Sequence, residues 1–524
     1  MWFKSNRKDT LRFQNRLIIF LALVKLILPY LLQHPMYEPH RDEFLYLAEG
    51  YHLAWGYLEI PPLLSVFAWL THLLGDSIFW IKFWPGLFGV FTFVIAGKMV
   101  QSLSGKSFAI FLVFLPFVFG AYLRVFFLFQ PNAPEFFFWT MIAYSVTRFI
   151  QTKKDKWLYV FGISIGFGML SKYSVLFFVI SILLGLLVSK ERKIFLNKHL
   201  YYAGAVSLLL FLPTLLWEFN HSFPVVTHMR ELRETQLQYV SPTGFLADQI
   251  FMNLPTFFIW LAGLYFISFS SKAKKYRWLA WSFLFVMIIL LALQGKSYYA
   301  LGVYPMLFAF GAFHLENFCS NRSVLWKYAI IIFPVFLGII MIPILLPVAK
   351  PKTLENYYHS MNMEKVGFQK WEDLQNHPLP QDFADMLGWE EMAQKAAKAW
   401  STLDSIEKKE AILFCDNYGQ AGAVNFYRKK YHLPEAYTDN GSFLFWMPKN
   451  KTYENIVVVT DDREEMQHPF IKQFKSAVAF DSITNPYARE YGSLIIILKG
   501  PDQDFKNYFH KRIEEKRNYF GAGK

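Results

Sequence analysis

Cysteine is almost absent: the 524 residues contain two, Cys319 and Cys415, too few for a framework of disulfide bridges. Charge is sparse as well, at 18% of residues. The chain has no Walker loop, no Rossmann glycine fingerprint and no Cys-x-x-Cys pair, which leaves nucleotide-driven and dithiol redox chemistry unsupported. It shows no internal repeat. No small-residue cleavage site follows Leu32, so the basic and then apolar N-terminus predicts a retained anchor rather than a signal peptide.

Apolar and aromatic side chains are abundant. Hydrophobic residues make up 54% of the chain and aromatics 19%, with 56 Phe and 16 Trp, a composition that predicts a polytopic membrane protein. A hydrocarbon layer of about 30 Å needs about 20 mostly apolar residues per helix. Segments of that kind lie at 16–33, 78–100, 107–124, 133–150, 156–171, 173–189, 199–217, 249–270, 277–294, 298–316 and 325–348, about eleven spans in all. Residues 61–74 are too short to cross and predict an interfacial or re-entrant helix.

The net charge of +13 is not a nucleic-acid footprint, because of where the cations stand. Lys4, Arg7, Lys8, Arg12 and Arg16 precede the first span. Lys153, Lys154 and Lys156, then Lys190, Arg192, Lys193 and Lys198, then Lys272, Lys274, Lys275 and Arg277 fill alternate loops. The intervening loops carry few cations, mainly Arg41, Arg230 and Arg233. This asymmetry places the N-terminus in the cytoplasm and, with an odd number of spans, the chain after about residue 350 outside. Cys319 and Cys415 then fall on opposite sides and cannot pair. The fold class expected is mainly α: a transmembrane helical bundle over 1–348, followed by an extracytoplasmic α/β domain over 349–524. In the latter, 411–414, 455–460 and 493–498 read as buried strands, 392–400 as a helix and 505–517 as a terminal helix.

Ionisable residues at a membrane boundary are costly unless solvated or used, and they concentrate in one outward loop. Tyr37-Glu38-Pro39-His40-Arg41-Asp42-Glu43 follows the first span, and Glu59-Ile60-Pro61-Pro62 precedes the short helix. If 42–53 is helical, Asp42, Tyr46 and Glu49 share a face while Glu43 points about 100° away. A partly buried carboxylate such as Asp42 can take a proton from a hydroxyl; the plainer role is an acid satisfying a helix N-terminus. The Pro pair stiffens the chain after Glu59, whose carboxylate can bind a metal or a sugar hydroxyl, or serve as an ordinary loop acid. Glu135 enters a span from its outward end. Lys172, Lys296 and Arg124 are cations at outward span ends, suited to a lipid phosphate, although a lysine there can also simply reach for the surface. In the 218–248 loop, His221 and His228 with nearby acids form only a weak zinc pattern, and each also reads as a solvated loop histidine.

These residues resemble the polyprenyl-phosphate-sugar-dependent glycosyltransferases of the GT-C fold, and within them the bacterial relatives of protein O-mannosyltransferases and of the lipid A aminoarabinose transferase. The resemblance rests on His40-Arg41-Asp42-Glu43, Leu53-Ala54-Trp55-Gly56-Tyr57, Pro61-Pro62-Leu63-Leu64, Gln130-Pro131, Ser171-Lys172-Tyr173 and Pro213-Thr214-Leu215-Leu216-Trp217. Further along it includes Lys296-Ser297-Tyr298-Tyr299, Tyr304-Pro305, Asn417-Tyr418-Gly419-Gln420-Ala421-Gly422-Ala423 and Asn485-Pro486-Tyr487-Ala488. It implies an enzyme of the bacterial inner (plasma) membrane that moves a sugar, with inversion, from a polyprenyl-phosphate donor to a hydroxyl of an envelope lipid, glycan or protein. Asp42 would be the general base, with Glu43 beside it in the catalytic pair. Lys172, with Arg124 or Lys296, would hold the donor phosphate. Arg41, Glu59, Glu135, Tyr298, Tyr299 and His221 would bind substrate. Some relatives carry an aspartate where this chain has Asn132, three residues before Glu135. The aminoarabinose branch has a lysine where Ile60 stands, which weakens that substrate assignment. No metal ligand set is assigned, a divalent metal remains possible, and the lipid-linked sugar is a co-substrate rather than a cofactor. Two rival readings are a lipid-linked sugar flippase, which repeated halves and midplane charges would favour, and a non-catalytic envelope assembly subunit.

Overall fold

Long apolar runs fold as helices because backbone exposed to lipid must satisfy its own hydrogen bonds. The computed structural model describes residues 7–449 and 453–523; Lys4, one of the cations used to orient the chain, lies outside the described residues. Among the described residues, six helices are long and apolar enough to cross a membrane: Lys8–Leu32, Ile78–Ser102, Lys198–Asn220, Ser271–Ala292, Ser297–Ser320 and Val324–Leu345. A seventh forms if Pro242–Phe251 and Leu254–Phe269, bent by 66° at their junction, count as one broken span.

Hydropathy alone predicts about eleven spans. Much of the difference lies at 107–124, 156–171 and 173–189, which fold as Ser107–Phe119, Lys156–Ser171 and Val175–Val188, of 13, 16 and 14 residues. At about 1.5 Å per residue these rise short of a ~30 Å layer. Extended backbone ends all three, at Gly120, Lys172 and Ser189. Residues 61–74 form the 11-residue helix Leu63–Leu73, too short to span.

The chain divides into two compact units. The first comprises Met1–Leu32 (described from residue 7), Lys82–Leu215 and Arg230–Leu346. Among its described residues the regular structure is entirely helical. A close helix crossing in it is between Phe257–Phe269 and Tyr304–Ser320, where a Cβ on Gly263 would collide with the Leu307 carbonyl and one on Gly311 with the Ile259 carbonyl. Small residues let two backbones meet in this way where no hydrophobic force draws helices together.

The second unit comprises Gln33–Ile81, Leu216–Met229 and Pro347–Lys524. It contains a five-stranded sheet of β1 (Ala411–Cys415), β2 (Ala436–Tyr437), β3 (Asn455–Thr460), β4 (Phe474–Ser482) and β5 (Leu494–Pro501), in the order β2-β1-β3-β5-β4. β2, β1 and β3 run parallel, and β5 is antiparallel to both β3 and β4. In the centre Leu413 lies opposite Val457 and Val457 opposite Ile497. One side of the sheet packs on the helices Trp389–Ser401 and Tyr418–Tyr431, and Phe44, Leu45 and Ala48 insert into the same core beside Trp389, Met392 and Val457. These three residues explain why the segment 33–81 belongs to the unit of the sheet.

Candidate active site

Within the second unit, the loop acids are organised by the helix Arg41–Glu49. His40 caps it: the Asp42 N–H donates to His40 Nδ1 at 3.1 Å, and the His40 N–H donates to Glu43 Oε2 at 2.7 Å. This reciprocal arrangement is a capping box, with histidine in place of the usual serine or threonine. It fully buries Glu43 at the helix start. Asp42 points elsewhere, with its side chain 35% exposed. Its Oδ1 accepts a hydrogen bond from the Tyr418 hydroxyl at 2.9 Å. The Arg41 guanidinium lies over the Tyr418 ring, 4.6 Å from the centroid, and the Arg41 N–H donates to the Asp385 carbonyl at 2.9 Å.

The face predicted to carry Asp42, Tyr46 and Glu49 forms. Burial, then the charges of Asp42 and Glu49 together with Tyr418 and Glu59, push the Tyr46 phenol well above its ordinary range. Glu49 is fully buried, and neither carboxylate oxygen has a hydrogen-bond partner among the described residues. Burial, and secondarily the charge of Glu59, push the Glu49 carboxyl well above the ordinary carboxylate range. Glu59 is held by Ser442, whose N–H donates to Oε1 at 2.9 Å and whose hydroxyl donates to Oε2. Gly441, at φ +63°, makes this possible, since a Cβ there would lie 2.5 Å from Glu59 Oε1. His221 donates from Nδ1 to the Trp217 carbonyl at 2.8 Å and stacks on the Trp217 ring at 4.2 Å.

In the first unit a different group assembles. Lys172 follows the helix Lys156–Ser171, and its ammonium donates to Asn132 Oδ1 at 2.6 Å and pairs with Glu135 Oε2 at 3.2 Å. It also lies over Tyr299 and Tyr298, at 4.4 and 5.7 Å from their centroids. Glu135 is fully buried, and its Oε1 accepts from the Ser174 hydroxyl at 2.5 Å. The structure thus brings together Glu135, Lys172, Tyr298 and Tyr299, and sets both Asn132 and Glu135 on one lysine. Lys296 turns to Gln236 Oε1 at 2.6 Å. Arg124 is half-buried on the short helix Tyr122–Val125.

Two residues engaging the loop acids escaped the sequence reading. Tyr418 lies in the run Asn417–Ala423, which carries the resemblance but suggested no role, and Ser442 follows the turn signal Asn440-Gly441. Their contacts join positions 376 and 383 residues apart, which no local pattern encodes.

Among the described residues, two groups have the composition of a metal site. In the first, His40 Nε2 lies 3.6 Å from Asp382 Oδ1 and 3.7 Å from Asp385 Oδ2. Neutral imidazole has one nitrogen lone pair, and Nδ1 already uses it to accept the Asp42 N–H. Nε2 therefore carries the proton, and this donor set does not fit a metal while the cap is intact. The second group, Asp462, Glu465 and His468, is an exposed ion pair with a neighbouring acid, its His468 Nε2 2.7 Å from Asp462.

Residues 59–217 match the family described as dolichyl-phosphate-mannose-protein mannosyltransferase. No curated protein sequence matches the chain. In fold the chain is similar to ArnT from Cupriavidus metallidurans bound to undecaprenyl phosphate, with a TM-score of 0.61 and 12% identity over 93% of this chain and 99% of that one. The apo state of the same protein gives a TM-score of 0.60, also at 12% identity over 93% and 99%. The architecture is thus the GT-C fold expected from the sequence: membrane helices with a small mixed sheet near the C-terminus.

Proposed function

We propose that this chain is a multi-pass membrane glycosyltransferase that moves a sugar from a polyprenyl-phosphate donor to a hydroxyl of an envelope lipid, glycan or protein. The observation that carries this reading is Asp42: a partly exposed carboxylate on a capped helix, oriented by the hydroxyl of Tyr418. The match at 59–217 and the fold support it, and they extend the donor class from those proteins to this one.

In the proposed reaction Asp42 accepts the proton of the acceptor hydroxyl as its oxygen bonds to the anomeric carbon. The bond from that carbon to the phosphate oxygen breaks with its electron pair, and polyprenyl phosphate leaves from the opposite face, so configuration inverts. Lys172, with Arg124 or Lys296, stabilises the growing phosphate charge, most effectively where water is excluded. Glu59, Glu135, Arg41, Tyr298, Tyr299 and His221 bind sugar or acceptor. Glu43, tied into the capping box, fixes the helix that carries Asp42. The expected topology is an N-terminus in the cytoplasm, with residues 349–524 on the extracytoplasmic side of the plasma membrane.

The test is transfer of a radiolabelled sugar from polyprenyl phosphate by membranes containing Asp42→Asn. The variant should insert and bind donor normally yet form no product. Retained turnover would remove Asp42 from the mechanism.

A further inference from the structure

The helix Tyr418–Tyr431 starts hard against the helix Arg41–Glu49. A Cβ on Gly419 would lie 2.5 Å from Arg41 Cγ, and one on Gly422 would lie 2.8 Å from the backbone carbonyl of Phe44. Two glycines one turn apart therefore set this approach. The first turn is fixed in its own right. The Asn417 side chain accepts the Gln420 N–H at 3.1 Å; the Gln420 amide donates to Glu490 at 2.8 Å and accepts from the Asp416 N–H at 3.0 Å. Tyr418 is thus presented on a rigid helix start, with its ring under the Arg41 guanidinium and its hydroxyl on Asp42.

Burial, and next the charge of Asp42, push the Tyr418 phenol well above its ordinary range, so it stays a donor at any working pH. A hydrogen bond to one carboxylate oxygen fixes the rotation of the group and so determines which oxygen meets an incoming hydroxyl. Bases in nucleophilic sites are commonly oriented by a third group in this way.

We propose that Tyr418 is a positioning residue for the transfer reaction, holding Asp42 in the rotamer that receives the acceptor proton. The part of the chain after the membrane helices thereby completes the catalytic carboxylate. This inference rests on the reading of Asp42 as the base.

Tyr418→Phe keeps the ring that Arg41 covers and removes only the donor. Initial rates of the full-length protein, measured against donor and acceptor concentration, should show kcat reduced about tenfold and both KM values within about twofold. The thermal midpoint should stay where it is. An unchanged kcat overturns the proposal. So does a kcat loss accompanied by a falling midpoint or a rising KM, which would make Tyr418 a packing residue. Asp42→Asn, assayed in parallel, separates the two ideas. Full turnover in that variant defeats the base assignment itself, whereas an inactive Asp42→Asn beside an unaffected Tyr418→Phe defeats only the role given to Tyr418.

Discussion

The acids singled out in the two units are held in opposite ways. In the helical unit Glu135 meets a lysine, and the Lys172 ammonium at 3.2 Å offsets its charge. In the unit with the sheet Glu38, Asp42 and Glu59 accept from neutral donors. Glu38 accepts from the backbone N–H groups of Gly388, Trp389 and Glu390 at 3.0, 3.1 and 2.7 Å and from the Tyr427 hydroxyl at 2.9 Å. Asp42 accepts from Tyr418, and Glu59 from Ser442. In a low-dielectric medium a countercharge is the cheaper solution, because an uncompensated ion there costs several kcal/mol. A carboxylate held by dipoles keeps its net charge, and a base must keep its charge until the proton arrives.

That contrast can be broken first at Lys172. If this lysine serves only to offset Glu135, then Lys172→Met should cost nothing further in a Glu135→Gln background, which has no stranded charge. If it holds the leaving phosphate, Lys172→Met should lose about 100-fold or more in turnover, and the double variant should fall as far below Glu135→Gln alone. Labelled-sugar transfer by the four proteins of the cycle decides the matter.

A smaller effect is expected where the units are assembled rather than where they act. Gly311→Val would push a side chain into the Ile259 carbonyl and part the helices Phe257–Phe269 and Tyr304–Ser320. The cost should be about 3 kcal/mol, seen as a loss of monodisperse protein on gel filtration in detergent. Gly422→Ala tests the corresponding approach in the other unit and should cost about 1–2 kcal/mol, because a single methyl meets the Phe44 backbone. An unchanged thermal midpoint there would show that the helix start yields at little cost.

The parts that could be read in the sequence are those written locally. The strands at 411–414, 455–460 and 493–498 were visible as Ile- and Val-rich runs and form β1, β3 and β5. β4 was not visible, because residues such as Lys475, Ser476, Ala479 and Phe480 leave that edge strand exposed, without a buried run to announce it. The lengths of the apolar helices were less legible, because hydropathy registers apolar length but not the point where a helix stops, as at Gly120 and Lys172. At the candidate site, the face of Asp42, Tyr46 and Glu49 followed from helical spacing. The role of Glu43 in the capping box did not, because histidine is an unusual cap. Nor did the grip of Tyr418 on Asp42, because only the close packing that Gly419 and Gly422 allow brings it there.

The last effect concerns pH and belongs to the unit with the sheet. Burial pushes the carboxyls of Asp385 and Asp416 up to about 6. In the unfolded chain an aspartate titrates near 3.9, so between about pH 4 and 6 the folded unit holds protons that the unfolded chain has released. Stability should therefore rise as pH falls through 6 and level off near 4. Above about 7 these two groups should contribute no further slope. A rise of that size is worth about 2.9 kcal/mol at most for each group, and water reaching half-buried Asp416 reduces its share to about 1–2 kcal/mol. Asp416→Asn removes the titrating proton while keeping the shape of the side chain. Hydrogen-exchange protection of β3 and β5, corrected for intrinsic rates, should then depend less on pH between 5 and 7 than in the parent protein. Equal slopes in the two proteins would mean that Asp416 stays ionised in the folded unit, with donors such as Thr460 outweighing its burial.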